Sequence, residues 1–83
     1  MTTVLDTNEI ETNDIYFAAF LLISGCELVR ERRQGQRVYF IFKNIGGSIQ
    51  DLKRSYFTNE AKVNAHQYSQ QIVAVKRLLF DNS

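Results

Sequence analysis

Apolar residues gather in blocks along this chain of 83 residues, and the densest block is Val38-Tyr39-Phe40-Ile41-Phe42. Consecutive β-branched and aromatic residues behind a Gly-containing turn predict a strand. A strand with one wet face alternates. This one is apolar throughout, so it offers apolar side chains to both faces of its sheet. Its hairpin partner is Cys26 to Arg32, because Gly35 can adopt the left-handed backbone of a tight turn. Two registers compete. A two-residue loop, Gln34-Gly35, sets Arg32 against Arg37, a like-charge pair. A three-residue loop, Arg33-Gln34-Gly35, sets Glu31 against Arg37, Cys26 against Phe42, Leu28 against Phe40 and Val29 against Tyr39. The second is favoured by its charges. It puts Cys26, Leu28, Val38, Phe40 and Phe42 on a core face, and Val29, Tyr39 and Ile41 on the other beside Glu27, Glu31 and Arg37.

Helical periodicity marks three further segments. The first runs from Asp14 to about Ser24, with Thr12 or Asn13 as N-cap, Asp14 favourably placed in the first turn and Gly25 as the stop. Its run Ile15 to Ile23 is apolar on all sides, which predicts a central helix buried on more than one side. The second is a short helix over Ile49 to Phe57. Gly46-Gly47 breaks the chain before it, Ser48 and Asp51 form a capping box, and Ile49, Leu52 and Tyr56 point inward. The third begins at an Asn64 N-cap with Gln67 at the reciprocal position, and Val63 and Tyr68 stand where a hydrophobic staple would. Ala65, Tyr68, Ile72, Val75 and Leu79 form its buried seam, widened by Leu78 and Phe80. Residues 1–11 read as a flexible tail, leaving 12–83 as one domain. The fold class expected is α+β, a single compact domain in which helix, β-hairpin, helix and helix follow in order and the helices pack on the hairpin.

The residues Thr12-Asn13-Asp14, the run Tyr16 to Leu22, Gly25 and the Val38–Phe42 strand resemble a small uncharacterised domain family of bacteria and phages. Tyr56-Phe57, Ala61-Lys62-Val63 and Leu78-Leu79 extend the resemblance over about residues 12–80. It implies a stand-alone domain and carries no activity with it.

Composition narrows the class. Hydrophobic residues make up 45% of the chain, enough for one modest core. A lone cysteine precludes an internal disulfide framework and suits a reducing cytosol, so the expected location is cytoplasmic. No stretch resembles a signal peptide, and the run Ile15 to Ile23 is far too short to span a bilayer. Net charge is only +1, but it is unevenly distributed. Residues 1–27 hold five acids and no Lys or Arg, while residues 28–83 hold ten basic residues against four acids. That polarity is either a functional footprint or a surface that neutralises itself on folding.

Candidate chemistry is sparse. His66, the only histidine, lacks partners at a ligand or acid–base spacing and reads as a solvated helix residue. Cys26 follows a helix C-terminus, which disfavours a thiolate, and reads as core. Gly46-Gly47-Ser48 lacks the spacing of a phosphate loop. No enzyme of recognisable kind, no cofactor and no small-molecule substrate is indicated. Two surfaces remain. Val29, Tyr39 and Ile41 form an apolar face suited to a protein partner or a second copy, as in a homodimer, an adaptor or a phage-type inhibitor. Arg30, Arg32, Arg33 and Arg37 cluster at the hairpin tip, where guanidinium groups suit nucleic-acid phosphates. Protein interaction is the favoured reading and nucleic-acid binding the alternative.

Overall fold

The strand Arg37–Lys43 occupies an inner position of a four-stranded antiparallel sheet, and the rest of the fold is arranged about it. The computed structural model describes residues 2–5, 8–44, 49–58 and 62–81. Its elements are β1 (Thr2–Val4), β2 (Glu9–Thr12), α1 (Ile15–Ile23), β3 (Glu27–Gln34), β4 (Arg37–Lys43), α2 (Ile49–Phe57) and α3 (Ala65–Asp81). The sheet order is β1-β2-β4-β3. The chain is therefore a single α+β domain, with the helices gathered on one side of the sheet.

The expected flexible tail over residues 1–11 is corrected by β1 and β2. Ile10 pairs with Phe42 and with Val4, and Thr12 pairs with Phe40 and with Thr2. The physical reason lies in β4. A strand apolar on both faces is poorly served as an edge, and β2 supplies its second row of backbone partners. Within the segment Glu9-Ile10-Glu11-Thr12, Ile10 and Thr12 are fully buried and the two glutamates point the other way.

The hairpin register is also corrected. Its loop is Gly35-Gln36, with Gln34 opposite Arg37 and Gly35 at φ 61°, a left-handed conformation natural at the first loop position of a tight hairpin. Arg33 then meets Val38, Arg32 meets Tyr39, and Glu31 meets Phe40. Continued unbroken, this register would swing Leu28 away from the core. A bulge between Leu28 and Arg30 absorbs one residue, so Leu28 lies opposite Phe42. The bulge resets the alternation that a one-residue slip would otherwise invert.

Helix α1 is capped by Asp14 rather than by Thr12 or Asn13. The Asp14 carboxylate accepts the N–H groups of Tyr16 at 2.9 Å and Phe17 at 3.2 Å. Thr12 is already committed to β2, where its hydroxyl lies 2.8 Å from that of Thr2 and accepts the Asp14 N–H at 3.1 Å. At the other end the Cys26 N–H reaches Leu21 O and the Gly25 N–H reaches Leu22 O. Gly25 sits at φ 90°, completing the glycine-terminated helix end that the sequence indicates.

Phe17 to Leu21 of α1 are all buried, and α3 packs along this helix. The core joins them to Ile10, Val38, Phe40, Phe42, Ile49 and Val75, with Leu52, Tyr56, Tyr68, Ile72 and Leu79 packed around the edge. Phe17, Phe20, Tyr56 and Phe57 form an aromatic cluster with centroid separations of 4.9 to 6.1 Å. Helix α2 has its expected bounds. The expected Asn64 cap accepts the Gln67 N–H at 3.0 Å. Gly46-Gly47 and the Ser48 half of the expected capping box lie outside the described residues.

Ile10→Ala should destabilise the domain by about 2–5 kcal/mol, measured by urea denaturation. A flexible tail would give no change.

Candidate functional site

Residues directly opposite one another in antiparallel strands project to the same face, so the register defines the sheet surface away from the helices. Ile41 lies in a row with Thr3, Glu11 and Arg30. Tyr39 lies beside Arg32, Arg37 beside Gln34, and Lys43 between Glu9 and Glu27. Tyr39 and Ile41 are absent from the helix-side core yet only 8% and 2% exposed. No described helix covers them.

Charged side chains do. Arg32 donates from Nη2 to Glu11 Oε1 at 2.5 Å and from Nε to Oε2 at 3.3 Å, gripping the carboxylate from two positions. Its Nη1 donates to Gln34 Oε1 at 3.0 Å. The same guanidinium lies 4.4 Å from the centroid of the Tyr39 ring, within the range of a cation–π contact. The link from β3 to β2 thus crosses the central strand and roofs it. The stems of long charged side chains bury apolar surface while their heads stay wet, which is how an apolar strand faces water without a second layer of helices. Hydrogen bonds from Arg32 hold the Glu11 carboxyl below its ordinary value of 4.5, with further help from the nearby positive charges of Arg32 and Arg30.

The bulge has a second effect. Val29 and Arg30 together oppose Ile41, so Val29 joins Tyr39 and Ile41 on this surface, although it is not paired with Tyr39 as expected. Val29 is 42% exposed, the one apolar member of the trio within reach of another molecule. Of the four arginines, Arg30, Arg32 and Arg37 share this face, and Arg33, paired with Val38, projects to the helix side. The expected four-arginine cluster is therefore divided by strand alternation. Arg32 is already hydrogen-bonded to Glu11 and stacked on Tyr39, so a phosphate would have to displace a carboxylate to use it.

Glu9 and Glu11 escape sequence reasoning, which leaves them in a tail. The available signal is the short alternation Glu9-Ile10-Glu11-Thr12, with its apolar residue between two acids. Elsewhere, His66 is exposed on α3, its Nε2 lying 3.2 Å from Gln70 Nε2. Among the described residues no three His, Cys, Asp or Glu side chains converge on a possible metal position, and no helix is long and apolar enough to cross a membrane. Cys26 is buried, and burial pushes its thiol up to about 11. A groove of about 520 Å³ lies between β1 and α2, lined in part by Val4, Lys53, Arg54 and Phe57.

Residues 7–81 match a family model described as Domain of unknown function (DUF5659), and the chain belongs to that family. No curated protein and no solved structure gives a significant match.

Two outcomes test this geometry. A carboxyl whose folded value is depressed contributes stability above its unfolded value and loses it as pH falls through the folded one. The stability advantage of the wild type over Glu11→Gln should therefore be constant above about pH 5 and shrink at lower pH, read from thermal melts. Cys26 should resist an aqueous thiol reagent at about pH 8 in the native protein and react fully once unfolded.

Proposed function

We propose that this family member is a small non-catalytic protein-interaction module, of bacterial or phage setting and cytoplasmic, that docks through the helix-free face of its sheet. The observation that carries this reading is the bare face itself. A central strand with Tyr39 and Ile41 beneath a charged roof runs down its middle, and the exposed Val29 stands at the bulge beside them. Antiparallel sheets commonly leave one face wet, but that face is then polar along every strand. Here Val29 of β3, exposed beside the roofed Tyr39 and Ile41, supports a contact role.

Charge balance favours protein over nucleic acid. Arg30, Arg32, Arg37 and Lys43 share the face with Glu9, Glu11 and Glu27. A nucleic-acid site needs a sustained positive field, because its affinity comes largely from phosphate neutralisation. The nucleic-acid reading retains one supporting observation, the placement of Arg30 and Arg37 on the face that also holds Tyr39.

Val29→Asp and Arg30→Glu are the discriminating variants, since both side chains are exposed. Each should keep the wild-type melting transition and lose association, whether with itself or with a co-expressed protein encoded beside it, as measured by light scattering. Association that persists in both variants would falsify docking through this face. A mass increase on adding a mixed DNA/RNA oligonucleotide, present only at low salt and lost in an Arg30→Ala, Arg37→Ala double variant, would establish the nucleic-acid reading instead.

A further inference from the structure

Separately from the sheet-face reading, we infer that the open edge of β1 accepts an added strand from a partner protein. The strand is an extended acidic peptide whose alternate side chains enter the groove beside α2. The direction of the β1 backbone carries this inference. The Leu5 N–H reaches Glu9 O at 2.9 Å, and Thr3 lies opposite Glu11 in the same register. Hydrogen-bonded and non-hydrogen-bonded pairs alternate along an antiparallel ladder. Thr3 and Leu5 therefore turn their backbone polar groups to β2, while Thr2 and Val4 turn theirs outward. β1 ends the sheet, so among the described residues no strand receives them.

The two edges of the sheet differ. β3 carries Arg30, Arg32, Arg33 and a bulge, devices that deter another strand. β1 is Thr2-Thr3-Val4, with no charge, proline or bulge. Its one protection is its shortness, which a peptide held by further contacts overcomes.

The groove supplies those contacts. Val4 forms one wall, and Gln50, Lys53, Arg54, Phe57 and Thr58 form the other, at the spacings of a single helix flank. A strand added antiparallel to β1 sets one residue opposite Val4 and on the same face. Val4 packs against the helix-side core. That peptide residue, and those two positions from it, therefore point towards α2, as in strand addition generally. Phe57 contacts Phe17 and Tyr56 yet stays 55% exposed, leaving apolar surface for such a side chain. Lys53 has no acidic partner among the described residues, and Arg54 meets the exposed Asp51 at 3.2 Å. Two cations against one acid favour a carboxylate two positions from the apolar residue. The volume of about 520 Å³ is that of an ordinary ligand cleft.

The experiment follows the amide NMR spectrum of the isotope-labelled full chain as hexapeptides are added to about 1 mM. In the peptide mixture threonine alternates with groove-facing positions, filled in turn by an apolar residue, a glutamate and an apolar residue. Saturable shifts should appear at Thr2–Val4 and along the Gln50–Thr58 flank of α2. Replacing the peptide glutamate by lysine, or N-methylating the groove-facing residues, should each weaken binding about fivefold or more. Val4→Pro removes an outward N–H that the β1–β2 ladder does not use, a change an edge strand tolerates. Val4→Pro and Lys53→Glu should each weaken binding to the same degree and keep the wild-type melting transition. Where Val4→Pro melts early, the N-methylated peptides decide. Val29→Asp should bind peptide as wild type does, which separates this site from the sheet face. Absence of shifts with the acidic mixture, or shifts confined to other elements, overturns the inference. Equal binding of the lysine mixture overturns the acidic occupant, and indifference to N-methylation overturns strand addition. Shifts at Thr2–Val4 that grow with protein concentration alone overturn the peptide and assign the edge to a second copy.

Discussion

Burial of β4 on both of its faces is the constraint from which the rest of the domain follows. Val38, Phe40 and Phe42 point towards the helices and Tyr39 and Ile41 away from them, and all five are at most 8% exposed. Such a strand needs a hydrogen-bonded neighbour on each edge and cover on each face. β3 and β2 supply the edges. Helix α1, apolar on all sides, lies within the helix-side core with α3 against it.

The second face is closed by a different device. Instead of another layer, Arg32 reaches across β4 to Glu11 and stacks on Tyr39. A link of this kind covers apolar surface while the Arg32 side chain stays 44% exposed; the Glu11 side chain, 14% exposed, bears the desolvation, which its two hydrogen bonds from Arg32 offset.

The bulge at Val29 couples these two levels. One extra residue in β3 keeps Leu28 in the core while Arg30 and Arg32 lie on the open face. It leaves Val29 exposed beside Ile41. A bulge and an edge strand rich in arginine also discourage edge-to-edge pairing of β3 with other strands.

Local chemistry determined much of this protein from sequence alone. The three helices, the Asn64 cap, the Gly25 stop, the buried Cys26 and the helix-side residues of β4 depend on neighbours a few positions away, so periodicity and capping expose them. Tertiary structure decided the rest. Asp14 became the cap because Thr12 was taken into a strand, and that strand formed because β4 lacked a neighbour. Likewise, the charge pairing across Glu31 and Arg37 suggested one hairpin register, whereas the folded chain adopts another, with a two-residue Gly35-Gln36 loop and a bulge after Leu28 that returns Leu28 to the core side. Glu11 meets Arg32, which lies 21 positions further along the chain, a contact no local pattern encodes. What the sequence could show was that β4 required cover on two faces. Which residues would provide it depended on how distant segments were brought together, since strand pairing and salt bridges are selected by global packing, not by local propensity.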